Sequence, residues 1–210
     1  MLIGAAAFVA TCVAVAHDGH RQHHQTVRSD AKPNAAQVTL HDSQLVDVGS
    51  QTVRFKSEAI GDGIAVIGFI YTSCSTICPV TSAVLADVQD ILIAKLGERF
   101  GRDVKLISLT VDPMTDTPER LKDYAEGFRS TEGWLWLTGE KPKMDRVLTG
   151  LGAYVADFTT HPAAILVGDA RSGEWTRLFG IPNPSDIADR VEQLIAAREN
   201  ARASANGDKS

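Results

Sequence analysis

Apolar and polar positions alternate in two rhythms along this chain, and the order in which the rhythms change outlines a fold. Residues 44–48 and 51–56 alternate with a period of two on either side of Gly49-Ser50, which predicts a β-hairpin. Ile64 to Tyr71 is an almost continuous apolar run, as a strand buried on both faces requires. From Pro79 to about Arg99 the apolar residues Val80, Val84, Val88, Ile91, Leu92 and Leu96 form a helical stripe, with proline in the first turn. Val104 to Val111 is a second buried strand. Thr117-Pro118-Glu119 then joins an N-cap, a proline at the first helical position and an acidic first turn, predicting a helix to about Phe128. Trp134 to Leu137 reads as a short strand, Lys143 to Leu151 as a short helix and Ala163 to Val167 as another strand. Gly173 turns the chain into an antiparallel partner at Trp175–Phe179. A last amphipathic helix over 185–198 is followed by a polar, Ala-rich end expected to fray.

Strand–helix–strand–helix units followed by a hairpin and a helix make an α/β protein with a mixed central sheet flanked by helices. In this order, with the N-terminal β-hairpin, they predict a thioredoxin-like fold over residues 41–198. Residues 199–210 are expected to be a disordered tail. Residues 17–40 carry His17, His20, His23 and His24 without apolar periodicity and read as a flexible linker. The linker histidines leave two readings open, a plain polar tether or a segment that captures metal weakly.

Residues 1–16 hold no charge, are too short to span a bilayer comfortably, and end in Ala14-Val15-Ala16, a small-residue cleavage pattern. They read as a signal peptide or, since no Lys or Arg precedes them, as a membrane anchor. Either way the chain is expected to be exported, periplasmic or held at the outer face of the inner membrane. A net charge of −5 with scattered basic residues argues against a nucleic-acid partner.

Export changes how the cysteines are read, because the compartment is oxidising. Outside the leader there are two, Cys74 and Cys78, where the first apolar strand gives way to the first long helix. Ligands collect at the carboxyl ends of strands in open α/β sheets, and a helix N-terminus favours a thiolate. Two thiols four residues apart at such a turn suit a redox pair or a soft metal such as Cu(I), zinc or an iron–sulfur cluster. Imidazole is the natural third donor where both oxidation states of copper must be held. His161, in Phe158-Thr-Thr-His161-Pro162 before the strand at 163–167, is the histidine that a thioredoxin-like fold would bring to the cysteine helix. Pro162 stands where thioredoxins keep a cis-proline, so a cis bond is a further expectation there.

The sequence resembles the Sco/SenC family of copper chaperones for cytochrome c oxidase assembly over residues 40–198. The motifs that carry the likeness are Val66-Ile-Gly-Phe-Ile-Tyr71, Cys74-Ser-Thr-Ile-Cys78-Pro79, Ser108-Leu-Thr-Val-Asp112-Pro113, Asp116-Thr117-Pro118 and Leu137-Thr-Gly139. The resemblance implies a copper site made by Cys74, Cys78 and His161, holding Cu(I) or Cu(II) for the copper-bearing subunit of cytochrome c oxidase or another copper acceptor. It also implies a role for Asp112, either orienting the imidazole or forming the turn before Pro113. The alternative function is a thiol–disulfide oxidoreductase that reduces the acceptor's cysteine pair, with Cys74 attacking and Cys78 resolving. A peroxidase or redox sensor is a weaker third, because no dedicated peroxidatic loop is present.

Overall fold

A computed structural model of the chain describes residues 34–207; the leader, His17 to His24 and the last three residues lie outside it. Its centre is one eight-stranded sheet in the order β1-β8-β7-β4-β5-β6-β2-β3. The strands are β1 (Asn34–Ala35), β2 (Gln44–Asp47), β3 (Thr52–Arg54), β4 (Ile64–Ile70), β5 (Val104–Thr110), β6 (Trp134–Thr138), β7 (Ala164–Asp169) and β8 (Glu174–Phe179). The helices are α1 (Ile77–Leu96), α2 (Pro118–Glu126), α3 (Lys141–Gly150) and α4 (Pro184–Gly207). β4, β5 and β6 run parallel, joined by α1 and α2 as crossovers, and the remaining pairs are antiparallel.

The mixed sheet has a core on each face, and strand alternation divides β4 between them. Ile64, Val66 and Ile70 face one core with Leu85 and Leu92 of α1, Leu121 of α2 and Val191 of α4. Ala65, Ile67 and Phe69 face the other with Met144, Val147 and Leu148 of α3. This double burial explains the unbroken apolar runs of β4 and β5. Gly68 interrupts the run for a packing reason. A Cβ there would stand 2.7 Å from Leu85 Cδ1, so glycine lets α1 lie close over the strand. By length and composition α1 could cross a membrane, but Val84, Leu85, Val88 and Leu92 pack into the domain core.

Three expectations change. The linker ends earlier than residue 40: Asn34 and Ala35 pair with β8, and Ala36, Val38 and Leu40 pack on the α3-side core. A period of two in Ala36, Val38 and Leu40 is the signal for this. Residues 55–60, placed partly in the hairpin, form a π-helical turn closed by the Gly61 N–H on the Lys56 carbonyl at 2.8 Å. The Asp42 carboxylate accepts the N–H groups of Lys56 and Ser57 and organises that turn. Third, α4 continues to Gly207 instead of ending at 198, because the Ala-rich stretch after Arg198 favours helix and no breaker intervenes.

Away from the cysteines, Asp169 at the end of β7 accepts Arg198 of α4 through two N–H groups at 2.6 and 2.5 Å. Burial pushes the Asp169 carboxyl up, but Arg198 and the N–H groups of Arg171 and Ser172 outweigh it and hold the carboxyl low. A depressed carboxyl contributes stability above its unfolded value near 4 and loses it as pH falls through the folded value. Asp169→Asn is therefore expected to cost about 2 kcal/mol at pH 7. Thermal melts should show that deficit narrowing at pH 3.

Candidate metal and redox site

The site is built where β4 ends. The chain leaves Ile70, turns through Tyr71 to Ser73 and enters α1 at Ile77, so that Cys74 lies in the turn and Cys78 in the first helical turn. N–H groups of a first helical turn have no partner inside the helix. Here the Cys78 N–H donates to Cys74 Sγ at 3.3 Å, and the Cys74 N–H donates to the Tyr71 carbonyl at 3.1 Å. Both cysteines are free thiols and both are buried.

Their environments push the two thiols apart. Burial raises Cys74, but hydrogen bonds from the Cys78 thiol and N–H, the Thr76 N–H and the Tyr71 hydroxyl bring it down to about 6. Burial, followed by its own hydrogen bond to Cys74, pushes Cys78 up to about 12. Tyr71 is also raised to about 12, first by its hydrogen bond to Cys74 and then by burial. One sulfur is thus a ready thiolate and its neighbour holds a proton against it.

Asp116 holds this turn in place. Its fully buried carboxylate accepts the Thr72 N–H at 3.1 Å, the Thr72 hydroxyl at 2.5 Å and the Thr110 hydroxyl at 2.5 Å. Arg120 donates to the same Thr72 hydroxyl at 3.2 Å. In the sequence Asp116 stands in the Asp116-Thr117-Pro118 motif without an assigned role. Its position one residue before the Thr117 N-cap, after a buried strand, was the available signal.

His161 is not gathered with the cysteines. Its ring packs on Phe69 with centroids 5.3 Å apart, on the α3 face of the sheet, whereas Cys74 and Cys78 belong to the α1 face. Among the described residues no group of three or more His, Cys, Asp or Glu side chains is arranged to hold a metal. Its chemistry nevertheless suits a ligand. Burial pushes the His161 imidazole down, which keeps it neutral, and its Nε2 is buried without a hydrogen-bond partner. A ring contact joins its loop to the cysteine turn: Phe158 meets Tyr71 edge-on at 5.2 Å. The peptide before Pro162 is trans, since the described residues contain no cis bond. The loop 158–160 forms a short 3-10 turn that delivers the proline in an ordinary extended path.

Asp112 is buried beside Pro113, and its hydrogen bonds are those of a turn. Its N–H donates to Thr110 Oγ1 at 2.9 Å, and its carbonyl accepts from Thr115 and Asp116. No hydrogen bond joins its carboxylate to His161 among the described residues.

Comparison with known proteins agrees with this architecture. The chain is 37% identical over 83 residues to a SCO1 protein homolog of Bacillus subtilis, covering 39% of this chain and 40% of that one. It is 28% identical over 130 residues to a SCO2-like protein of Rickettsia conorii, covering 58% and 59% respectively. The matches thus span about half the length of these relatives. Among solved structures, BsSco, in which a disulfide switch was identified, superposes with a TM-score of 0.62 at 25% identity, covering 77% of this chain and 95% of that one. BsSco is described as a member of the Sco family of cytochrome c oxidase assembly proteins. Copper-bound ScoI of Bradyrhizobium japonicum gives a TM-score of 0.60 at 25% identity, covering 74% and 99%. These neighbours share the thioredoxin-like fold. The SCO1/SenC family profile matches residues 32–196, and the chain belongs to that family.

Proposed function

We propose that this protein is a copper metallochaperone that holds Cu(I) or Cu(II) on Cys74 and Cys78, completes the site with His161, and passes the ion to the copper centre of cytochrome c oxidase. The observation that carries the reading is the thiol pair: two buried free sulfurs in hydrogen-bond contact at a helix start, one held as a thiolate near neutral pH. Soft thiolates prefer copper among the common ions, and a neutral imidazole extends the site to Cu(II). For His161 to join them, the 158–162 segment has to leave Phe69. The position it leaves gives Nε2 no hydrogen bond, and coordination would give that atom a partner. Transfer proceeds by ligand exchange, the acceptor's thiolates replacing Cys74 and Cys78 one at a time. The copper bound to ScoI and the oxidase-assembly role described for BsSco support this choice of cargo and acceptor. The reading places the chain outside the cytoplasm, periplasmic or anchored to the membrane.

The split between the two thiols favours a second activity of the same residues. The Cys74 thiolate attacks one sulfur of an acceptor disulfide, forming a mixed disulfide and releasing the other sulfur as a thiolate. Cys78 then gives up its proton and attacks Cys74 Sγ, so that the acceptor leaves as a dithiol and Cys74–Cys78 becomes the disulfide. His161 separates the two activities. A copper titration of the reduced protein should produce a sulfur-to-copper band at one equivalent. His161→Ala is expected to lose stable Cu(II) binding while keeping dithiol reduction. A parent protein without that band would leave the reductase alone.

A further inference from the structure

We propose that Tyr71 is a positioning residue for His161, tying the place of the 157–161 turn to the bonding state of the Cys74 sulfur. The proposal rests on the reading that His161 leaves Phe69 to join the cysteines, and it names the residue that governs when.

The two halves of the site lie on opposite faces of the sheet, and Tyr71 touches both. It follows the last residue of β4, where the strand no longer separates the two cores. Its ring packs against the α1-side core that holds Cys74 and Cys78, and its hydroxyl donates to Cys74. The same ring meets Phe158 edge-on, with centroids 5.2 Å apart at 71°. Phe158 belongs to the other side, where it lines a cavity with Leu148 of α3 and Ala153.

The turn that carries Phe158 and His161 is closed by its own hydrogen bonds. The Asp157 carboxylate accepts the Thr159 N–H at 3.0 Å and the Thr159 hydroxyl at 2.6 Å. The Asp157 carbonyl accepts the Thr160 N–H at 3.1 Å and the Thr160 hydroxyl at 2.8 Å. The Phe158 carbonyl accepts the His161 N–H at 3.1 Å. All of these bonds lie between residues 157 and 161, so the segment can move without breaking them. A displacement of Phe158 is then a displacement of His161. The rest of the domain holds the segment through Phe158 on Tyr71, His161 on Phe69, and the His161 imidazole on the Ala153 backbone.

The tie works through the hydroxyl. A hydrogen bond from Tyr71 to an ionised sulfur fixes the orientation of its ring, and with it the edge on which Phe158 packs. A new bond at Cys74 Sγ, to an ion or to another sulfur, withdraws that acceptor. The ring then turns toward another partner and Phe158 loses its seat. A residue can shift a two-position equilibrium only by what it contributes differently to the two positions. For an edge-to-face pair that contribution corresponds to a change of about two- to twelvefold. The order of events follows: Cys74 is engaged first, and His161 is released toward it afterwards.

The test measures access to His161 on the reduced full chain at pH 7, by diethyl pyrocarbonate carbethoxylation followed by peptide mass spectrometry. The parent should react slowly at this histidine, whose Nε2 is buried. Phe158→Ala should raise the rate by about two- to twelvefold. Tyr71→Phe keeps the ring and removes only the hydroxyl, and it should raise the rate within the same range. Cys74→Ala removes the acceptor and should match Tyr71→Phe. The double variant Tyr71→Phe/Cys74→Ala should be no faster than either single one, because both cut the same tie. A parent-like rate in Tyr71→Phe or in Phe158→Ala overturns the proposal. So does a double variant in which the two effects multiply. No copper enters this assay, so a missing sulfur-to-copper band in the titration described above overturns the copper reading and leaves this result standing.

Discussion

Cys74→Ser is expected to remove the reactive sulfur altogether, abolishing the copper–thiolate band and mixed-disulfide formation, whereas Cys78→Ala should leave a thiol that reacts more slowly at pH 6. The asymmetry follows from the hydrogen bonds. Cys74 sits at about 6 despite its burial because the Cys78 thiol and N–H, Thr76 and Tyr71 donate to it. Cys78→Ala withdraws the thiol donor and keeps the N–H, so the Cys74 value rises toward that of an ordinary cysteine. Magnitudes decide where to measure. At pH 6 a thiol of value 6 is about half thiolate, and an ordinary one near 8.5 is about 0.3% thiolate. The more acidic thiolate is intrinsically less nucleophilic by about tenfold, which leaves a net advantage of roughly ten- to twentyfold at pH 6 and only about twofold at pH 7. Iodoacetamide alkylation followed by mass spectrometry across pH 4–9 should therefore show a parent midpoint near 6, displaced upward in Cys78→Ala and absent for this site in Cys74→Ser. A parent midpoint near 8.5 would contradict the arrangement of donors.

Much of this site is legible in the residues, and the limits of that legibility have physical causes. β4 and β5 announce themselves because burial on both faces leaves no room for polar residues, and the cysteines stand out as the free pair just after a buried strand. The start of α1 was less visible. Ile77 and Cys78 precede Pro79, yet they are already helical, and that shift of two residues puts the Cys78 N–H in reach of Cys74. His161 was legible as a donor and not as a position. Which face of the sheet its ring chooses depends on Phe69, a contact that no local pattern encodes. β1 escaped for a related reason: two residues paired to an edge carry almost no periodicity, although the alternation after them did. Asp116 shows the same limit most sharply, since Thr72 lies 44 residues away and only the parallel pairing of β4 with β5 brings the two together.

That carboxylate is where the second large effect is expected. Asp116→Ala removes the acceptor for the Thr72 N–H, the Thr72 hydroxyl and the Thr110 hydroxyl at a site with no solvent exposure. Each buried donor left without a partner costs about 1–3 kcal/mol, so a loss of about 3–5 kcal/mol follows, or roughly 10 °C in the thermal midpoint of a domain this size. Asp116→Asn keeps the shape and one acceptor oxygen toward Thr72. Its amide can donate to Thr110 Oγ1, whose hydroxyl can rotate, so most of the stability should return. The two variants also separate anchoring from charge. Asp116 contributes to the high value of Cys78, after burial and the hydrogen bond to Cys74. Asn removes that charge with the turn intact, so a fall in the Cys78 value common to both variants would report electrostatics. Loss of the low Cys74 value in Asp116→Ala alone would report the loosened turn, because the donors that depress it are fixed by the path of the chain from Tyr71 to Cys78. Alkylation profiles of both variants, taken well below their melting temperatures, distinguish the two.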